Sequence, residues 1–290
     1  MRKDRPSTTA ALVASLRAIY TAMPEPYCLA PDPLARELVP FPLAIPAEAL
    51  ARAPWAAAAV HHALGLATRG LSHYVALRTR AIDDAVREAV RLGAKQLVVL
   101  GAGLDNRALR LDELASVRAF EIDYPSTQRY KAARLAALPS PPLPKARSLA
   151  RVPVDFEQDR LDQSLLTAGF DPAARTFWIW EGVVVYLTRE AISSTLAAVS
   201  ALSAKGSRIA LTYTPRRMMR GIAVPFARRA FNLLGEPFRS PLTPDEMRGL
   251  LEAAGLARIS DESSEEWARR YWPGMGGSRA IERMAIAEKP

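Results

Sequence analysis

The residues of this chain with the clearest chemical promise are Gly101, Ala102 and Gly103, which follow the apolar run Gln96-Leu97-Val98-Val99-Leu100. Glycines after a buried strand permit a tight turn and let a ligand reach the backbone with no Cβ in the way. The N–H groups of a helix that starts there favour an anionic group. Asp123 comes twenty-two residues after Gly101, at the end of a second expected strand (117–123). That is about the interval at which an acid accepts from ribose hydroxyls in a nucleotide-binding βαβ unit. Asp155, before Phe156, and Glu181 close two further expected strands, the second strongly apolar. Three carboxylates at one sheet edge are expected to build a pocket of negative potential beside one anion-favouring turn. Such a pocket repels a diphosphate and suits a nucleoside with one carboxylate and a positive centre, the charge pattern of S-adenosyl-L-methionine. The third glycine of a dinucleotide fingerprint falls at Asn106, yet Gly-x-Gly with a later acid also fits a nicotinamide cofactor. An NAD-dependent oxidoreductase therefore stands as the alternative.

The elements that must position these residues follow from the pattern. Strands near 96–100, 117–123, 150–156, 176–182 and 207–213 alternate with helical segments, which predicts an α/β fold: a Rossmann-like, doubly wound, mostly parallel sheet. In such sheets ligands bind beyond the carboxyl ends of the strands, where all the residues above would sit. Pro153 is expected at the start of the third strand or at a bulge. A helix over 74–92 ends at Gly93 and carries Arg78 and Arg80, one of which is expected to lean toward the Gly-Ala-Gly turn. Thr243-Pro244-Asp245-Glu246 reads as a capping box with proline at the first helical position. Two short strands near 257–260 and 283–287 complete the sheet. The expected organisation is an N-terminal helical cap (1–75), a core (76–214), an inserted helical lid (215–242) and a C-terminal helix with strands (243–290).

Composition narrows the setting. At 290 residues, with 49% hydrophobic and 24% charged residues, the chain reads as an ordinary globular protein. One cysteine, Cys28, excludes an internal disulfide framework and a thiolate metal cluster. His61 and His62 are adjacent and point about 100° apart on a helix, so no metal site is expected. No run approaches the ~20 apolar residues of a membrane span, and no leader-like segment follows the charged start. A cytoplasmic protein without a membrane partner is the expectation. The net charge of +9 is scattered, apart from five arginines within 216–229, and shows no stripe interleaved with aromatics; nucleic acid is not expected as a partner.

Four stretches carry a family resemblance. Leu100-Gly101-Ala102-Gly103-Leu104-Asp105-Asn106-Arg107, Phe120-Glu121-Ile122-Asp123-Tyr124-Pro125, Val152-Pro153-Val154-Asp155-Phe156 and Trp180-Glu181-Gly182-Val183-Val184-Val185-Tyr186-Leu187-Thr188 resemble, in order, the motifs of the leucine carboxyl methyltransferase-like branch of class I S-adenosylmethionine-dependent methyltransferases. The resemblance covers about residues 70–215 and implies S-adenosyl-L-methionine as cofactor. It implies that Arg78 pairs with the methionine carboxylate and that Gly101, Ala102 and Gly103 pass under the methionine part. Asp123 would take the ribose hydroxyls, Asp155 and Phe156 would frame the adenine, Glu181 would face the methionine end, and Tyr186 would lie toward the substrate. Where many relatives carry threonine, this chain has Asn106.

Methyl transfer from a sulfonium needs mainly alignment of the acceptor with the methyl group. A carboxylate acceptor is ionised at neutral pH, whereas a phenol benefits from a base. The core has no histidine, and the arginine-rich 216–229 stretch suits an anion. The expected acceptor is therefore a small acidic metabolite, polyketide-like or otherwise, bearing a carboxylate or an acidic hydroxyl. A protein C-terminal carboxylate is the alternative within the family, and a non-catalytic partner-binding relative is a further one.

Overall fold

The computed structural model describes residues 7–156, 158–216, 238–275 and 282–290. Helices α1 (Thr8–Thr21), α2 (Ala35–Leu38), α3 (Ile45–Arg52) and α4 (Ala57–Ala67) come first, before the long α5 (Leu71–Arg91). Ser7 caps α1 by accepting the Ala10 N–H at 3.3 Å. Helix α5 buries Tyr74, Val75, Leu77, Arg78, Ile82 and Val86, and Gly93 ends its run at φ +94°.

Seven strands form one sheet among the described residues. They are β1 (Gln96–Leu100), β2 (Arg118–Asp123), β3 (Ser148–Pro153), β4 (Thr176–Trp180), β5 (Arg208–Tyr213), β6 (Ala257–Ser263) and β7 (Arg283–Glu288), in spatial order β3-β2-β1-β4-β5-β7-β6. The first five are parallel, whereas β7 pairs antiparallel with both β5 and β6. The strand order reverses between β1 and β4, which makes the crevice beyond their carboxyl ends the switch point for ligands. Short α6 (Arg107–Arg110) follows β1, and α7 (Pro125–Ala136), α8 (Leu161–Thr167) and α9 (Arg189–Ala201) lie between later strands. After β5, α10 (Pro244–Ala253) opens on the expected box, with Thr243 and Glu246 capping each other's backbone, and α11 (Ser264–Tyr271) follows β6.

Both faces are covered at the centre of the sheet, where β1 and β4 are buried along their whole length. Leu97, Val99, Phe177 and Ile179 pack with α5 on one face. Val98, Leu100, Trp178 and Trp180 pack with α9 and α10 on the other. Full burial of each such side chain contributes about 1.5–3 kcal/mol relative to exposure.

Pro153 departs from expectation: it is the last residue of β3, not its first, and β3 ends before Asp155. β3 is the edge strand, where a missing N–H costs no ladder bond. Of the lid expected at 215–242, residues 217–237 lie outside the described residues.

Candidate functional site

Register brings the predicted residues to one edge. Leu100 stands opposite both Ile122 and Trp180, so Gly101, Asp123 and Glu181 are the next residues of three adjacent strands. Gly101 adopts φ +67° and Gly103 φ +53°, left-handed values that glycine takes at no steric cost. A Cβ on Gly101 would meet Val183 Cγ2 at 2.5 Å, so the segment after β4 closes directly on the turn. Helix α1 closes on it too: a Cβ on Gly103 would lie 3.2 Å from that of Ala10.

Asp123 is half-buried and holds the loop in place. Its Oδ2 accepts the Gly103 N–H and its Oδ1 accepts the Tyr124 N–H at 2.6 Å. The Ala102 N–H donates to the Ile122 carbonyl at 2.9 Å, a second tie between the glycine turn and β2. Burial pushes the Asp123 carboxyl above its ordinary value, against the lowering effect of the two N–H groups and of Lys131. Lys131, itself buried, donates to the Asp105 carbonyl and pairs with Glu121 at 2.8 Å, tying the end of the turn to β2 from below.

Asp155 and Phe156 lie in the turn after β3. This turn is tied to the same edge, since the Val154 N–H donates to the Asp123 carbonyl at 2.8 Å. The Asp155 N–H donates to Asp159 at 2.8 Å, and Phe156 packs half-buried against the core. Tyr186 ends a single helical turn after β4, with its ring 5.8 Å from that of Phe238.

Glu181 does not contribute open negative potential. Arg78 Nε lies 2.8 Å from its Oε1 and Arg107 Nη1 lies 2.7 Å from its Oε2, with all three side chains buried. Burial alone would raise this carboxyl, but Arg78, Arg107 and Arg17 outweigh it and bring the pKa down to about 2. Arg107 also holds Asp105 and Asp83, the latter at 2.8 Å, and Arg110 meets Asp83 at 2.7 Å. Arg17 pairs with Asp32 at 3.2 Å and donates to the Leu104 carbonyl at 2.5 Å, while Asn106 donates to Asp32 at 3.0 Å. The expected pocket of three open acids is thus corrected: a buried carboxylate is retained only with partners, and arginines supply them here.

Of Arg78 and Arg80, Arg78 turns inward, 4% exposed, with Nη1 near the Cβ position of Gly182 at 3.3 Å. Arg80 pairs instead with Asp84 at 3.0 Å on the surface. Sequence reading missed Arg17, Asp32 and Arg107 as parts of the site. Arg107 stood inside the glycine motif, and its charge beside an apolar strand end was the available signal. All three histidines meet in one aromatic cluster, His61 stacking on His73 at 4.2 Å and bordering Tyr20, Tyr27 and Trp272. Among the described residues, no three His, Cys, Asp or Glu side chains come together to hold a metal ion. A hollow of about 470 Å³ between Arg36, Glu37, Glu48 and Arg52 lies on the helical cap, where Arg36 and Glu37 already pair with each other at 2.8 Å.

What the assembled edge offers is a small-residue turn, a carboxylate able to accept from paired hydroxyls, and a buried guanidinium opposite it. These features fit a nucleoside that carries a single carboxylate.

Comparison with known proteins gives the same direction. The leucine carboxyl methyltransferase family profile matches residues 10–200. A Frankia alni protein named as an S-adenosyl-L-methionine-dependent methyltransferase is 37% identical over 220 residues, covering 72% of this chain and 68% of its own. A similarly named Mycolicibacterium smegmatis protein is 37% identical over 225 residues, covering 73% and 68%. Among solved structures, a DUF574 family protein of Streptomyces avermitilis superposes with a TM-score of 0.62 at 16% identity, over 98% of both chains. A Thermobifida fusca protein named as a methyltransferase superposes with a TM-score of 0.59 at 16% identity, over 98% of this chain and 95% of that one. At such identities the structural likeness speaks for the fold.

Proposed function

This chain belongs to the leucine carboxyl methyltransferase family and is an S-adenosyl-L-methionine-dependent methyltransferase, and from that premise we propose that it methylates an oxygen of a small acidic metabolite. The observation that carries the reading is the shared edge at which the Gly101–Gly103 turn, Asp123 and the Arg78–Glu181 pair meet. The dinucleotide alternative gives way to family membership. Its third glycine is replaced by Asn106, buried and hydrogen-bonded to Asp32.

When bound, S-adenosyl-L-methionine supplies an electrophilic methyl group on its sulfonium. The residues of the chain hold and orient. Arg78 offers its guanidinium to the methionine carboxylate, the charge-assisted contact worth most in a desolvated place. Asp123 accepts from the ribose hydroxyls, Asp155 accepts from the adenine amino group, and Phe156 lies against the ring. Glu181 acts one step back, because it fixes Arg78 and Arg107. Tyr186 faces the acceptor. A carboxylate acceptor arrives ionised, so no side chain has to remove a proton, in keeping with a core free of histidine. The arginines of 216–229 lie mostly outside the described residues and are assigned, within this proposal, to the acceptor's charge.

The division into cap (1–75), core (76–214), lid (215–242) and C-terminal part (243–290) belongs to the same proposal, as does a cytoplasmic setting without nucleic acid. No helix among the described residues is long and apolar enough to cross a membrane. The family name itself points to a carboxyl acceptor, which keeps a protein C-terminus as the second reading.

The test is a competition among acceptors with radiolabelled S-adenosyl-L-methionine: small carboxylic acids, phenols, and peptides ending in a free carboxylate. Label in the small acids supports the proposal, and label in the peptides alone supports the second reading. Transfer only to phenols overturns both.

A further inference from the structure

One buried carboxyl beside the site has no part in the mechanism above. Glu282 immediately precedes β7, and because Tyr213 pairs with Arg283 in an antiparallel ladder, Glu282 comes level with Thr214 just past the carboxyl end of β5. Glu282 therefore stands at the same sheet edge as the candidate site. Its side chain is buried. Tyr74, on α5, donates its hydroxyl to Glu282 Oε2, and Thr214 donates to Oε1 at 3.3 Å. Trp267 of α11 stacks behind Tyr74 at 6.3 Å, and the Ser264 N–H donates to the Glu282 carbonyl at 3.2 Å. Among the described residues, the charged group in ion-pair contact with Glu282 is Arg78, with Nη1 3.6 Å from Oε2. That guanidinium is already committed, since Nε lies 2.8 Å from Glu181 and Nη1 donates to the Tyr74 hydroxyl at 2.8 Å.

Two carboxyl groups and one phenol thus surround a single arginine, Glu181 at Nε and the Tyr74–Glu282 pair at Nη1. Glu181 fixes the Nε side, while Tyr74, itself anchored on Glu282, fixes Nη1. Both Nη atoms border the Gly182 turn, Nη1 at 3.3 Å and Nη2 at 3.8 Å from where a Cβ would stand, and of the two Nη2 is the one not bonded to Tyr74. We infer that Glu282 and Tyr74 are positioning residues for the cofactor, aiming the Arg78 guanidinium so that its remaining edge meets the cofactor's carboxylate. This inference rests on the assignment of Arg78 to that carboxylate in the proposed function.

Glu282 also makes cofactor binding depend on pH. Glu181 already neutralises Arg78, so an ionised Glu282 would be a second negative charge on the same guanidinium. Burial pushes its carboxyl up to about 8, so Glu282 carries a proton at neutral pH. Above that value its charge competes with the incoming carboxylate for Arg78, and cofactor affinity falls.

The experiment is calorimetric binding of S-adenosylhomocysteine from pH 6 to pH 10, with thermal unfolding of each variant as a control. The wild-type protein is expected to lose about tenfold in affinity across the Glu282 transition. Glu282→Gln, which mimics the protonated carboxyl, is expected to match wild type at pH 6.5 and to lack that loss. Titration of the ligand's own ammonium is common to both proteins and cancels in their ratio. Tyr74→Phe is expected to bind more weakly at every pH, because it breaks the relay. Parallel profiles for wild type and Glu282→Gln overturn the inference. Arg78→Met separates the two levels. If it binds as tightly as wild type, the Arg78 assignment itself fails; if it binds weakly while the profiles stay parallel, only the role of Glu282 fails. Should Glu282→Gln fold poorly, wild type with 5′-methylthioadenosine, which lacks the amino-acid part, decides. Its affinity is expected to stay level, and a fall equal to that of S-adenosylhomocysteine overturns the inference.

Discussion

Arg78, on the helix before the sheet, reaches Glu181, after its fourth strand, with Nε 2.8 Å from Oε1. The pair joins residues 103 positions apart at the point where the strand order reverses. Neither side chain is on the surface, so each is the reason the other tolerates burial.

Glu181→Gln is therefore expected to destabilise the protein by about 3–5 kcal/mol, because it leaves Arg78 and Arg107 buried with no carboxylate between them. The substitution also removes an acid-dependent part of stability. The carboxyl pKa is depressed from 4.5 unfolded to about 2 folded, so its contribution is complete above 4.5 and disappears as pH falls from 4.5 toward 2. Urea unfolding at a series of pH values measures both effects; a variant with the wild-type acid limb contradicts the assignment.

The histidine cluster titrates in a separate window. Burial, then the neighbouring charges of His73 and His62, lowers His61 from 6.5 to about 4, and burial lowers His73 as well. The folded state keeps these rings neutral, while the unfolded chain takes up protons at 6.5. Stability is therefore complete above pH 6.5 and declines between 6.5 and 4. The Tyr20 hydroxyl lies 3.4 Å from His61 Nδ1, so His61→Phe is expected to flatten that decline at a constant loss of about 1 kcal/mol for this hydrogen bond. The same urea series reads it, and an unchanged slope between 6.5 and 4 goes against it.

Gly101→Ala tests the turn. Alanine held at φ +67° costs about 1–2 kcal/mol, and its methyl would stand 2.5 Å from Val183 Cγ2. Val183 has to move, and with it the segment that carries Tyr186. The expected result is a Tm lower by several degrees together with weak S-adenosylhomocysteine binding. Wild-type values for both show that the turn has other room.

Asp123→Ala removes the acceptor for the ribose and the anchor of the Gly103 N–H at once. Cofactor affinity is expected to fall roughly 100-fold, the loss of hydrogen bonds to a charged acceptor. Asp123→Asn, whose single amide oxygen can still accept from Gly103 but leaves the Tyr124 N–H without its acceptor, is expected to lose less Tm than Asp123→Ala while binding weakly. Calorimetry and thermal unfolding of the two variants together distinguish the anchor from the ligand contact, and Asp123→Ala with wild-type affinity argues that the ribose lies elsewhere.

Much of this was readable from local pattern. The β1 run Leu97–Leu100 is apolar because both sheet faces are covered, and Gly101 follows it because the turn needs a left-handed residue. Thr243 and Glu246 announced a helix start that the structure has in full, since a capping box is an interaction over three residues. Pro153 was misplaced within β3 because strand position follows from which neighbours pair, and the sequence does not say which strand is the edge. The charge balance around Glu181 escaped for a related reason. Arg17, Arg78 and Arg107 are scattered over ninety residues, and spacing says nothing about which of many arginines turns inward.

Sequence by itself thus determined the alternating elements, the glycine turn and the acids that close successive strands, because each depends on steric and polar preferences within a few neighbouring residues. Tertiary structure alone decided that Glu181 is neutralised, that Lys131 braces the turn, and that Glu282 comes through Tyr74 to Arg78 across 208 positions of chain. Those are pairings of buried charges, and desolvation makes a buried charge depend on whichever partner the fold brings within a few ångströms, however distant in sequence.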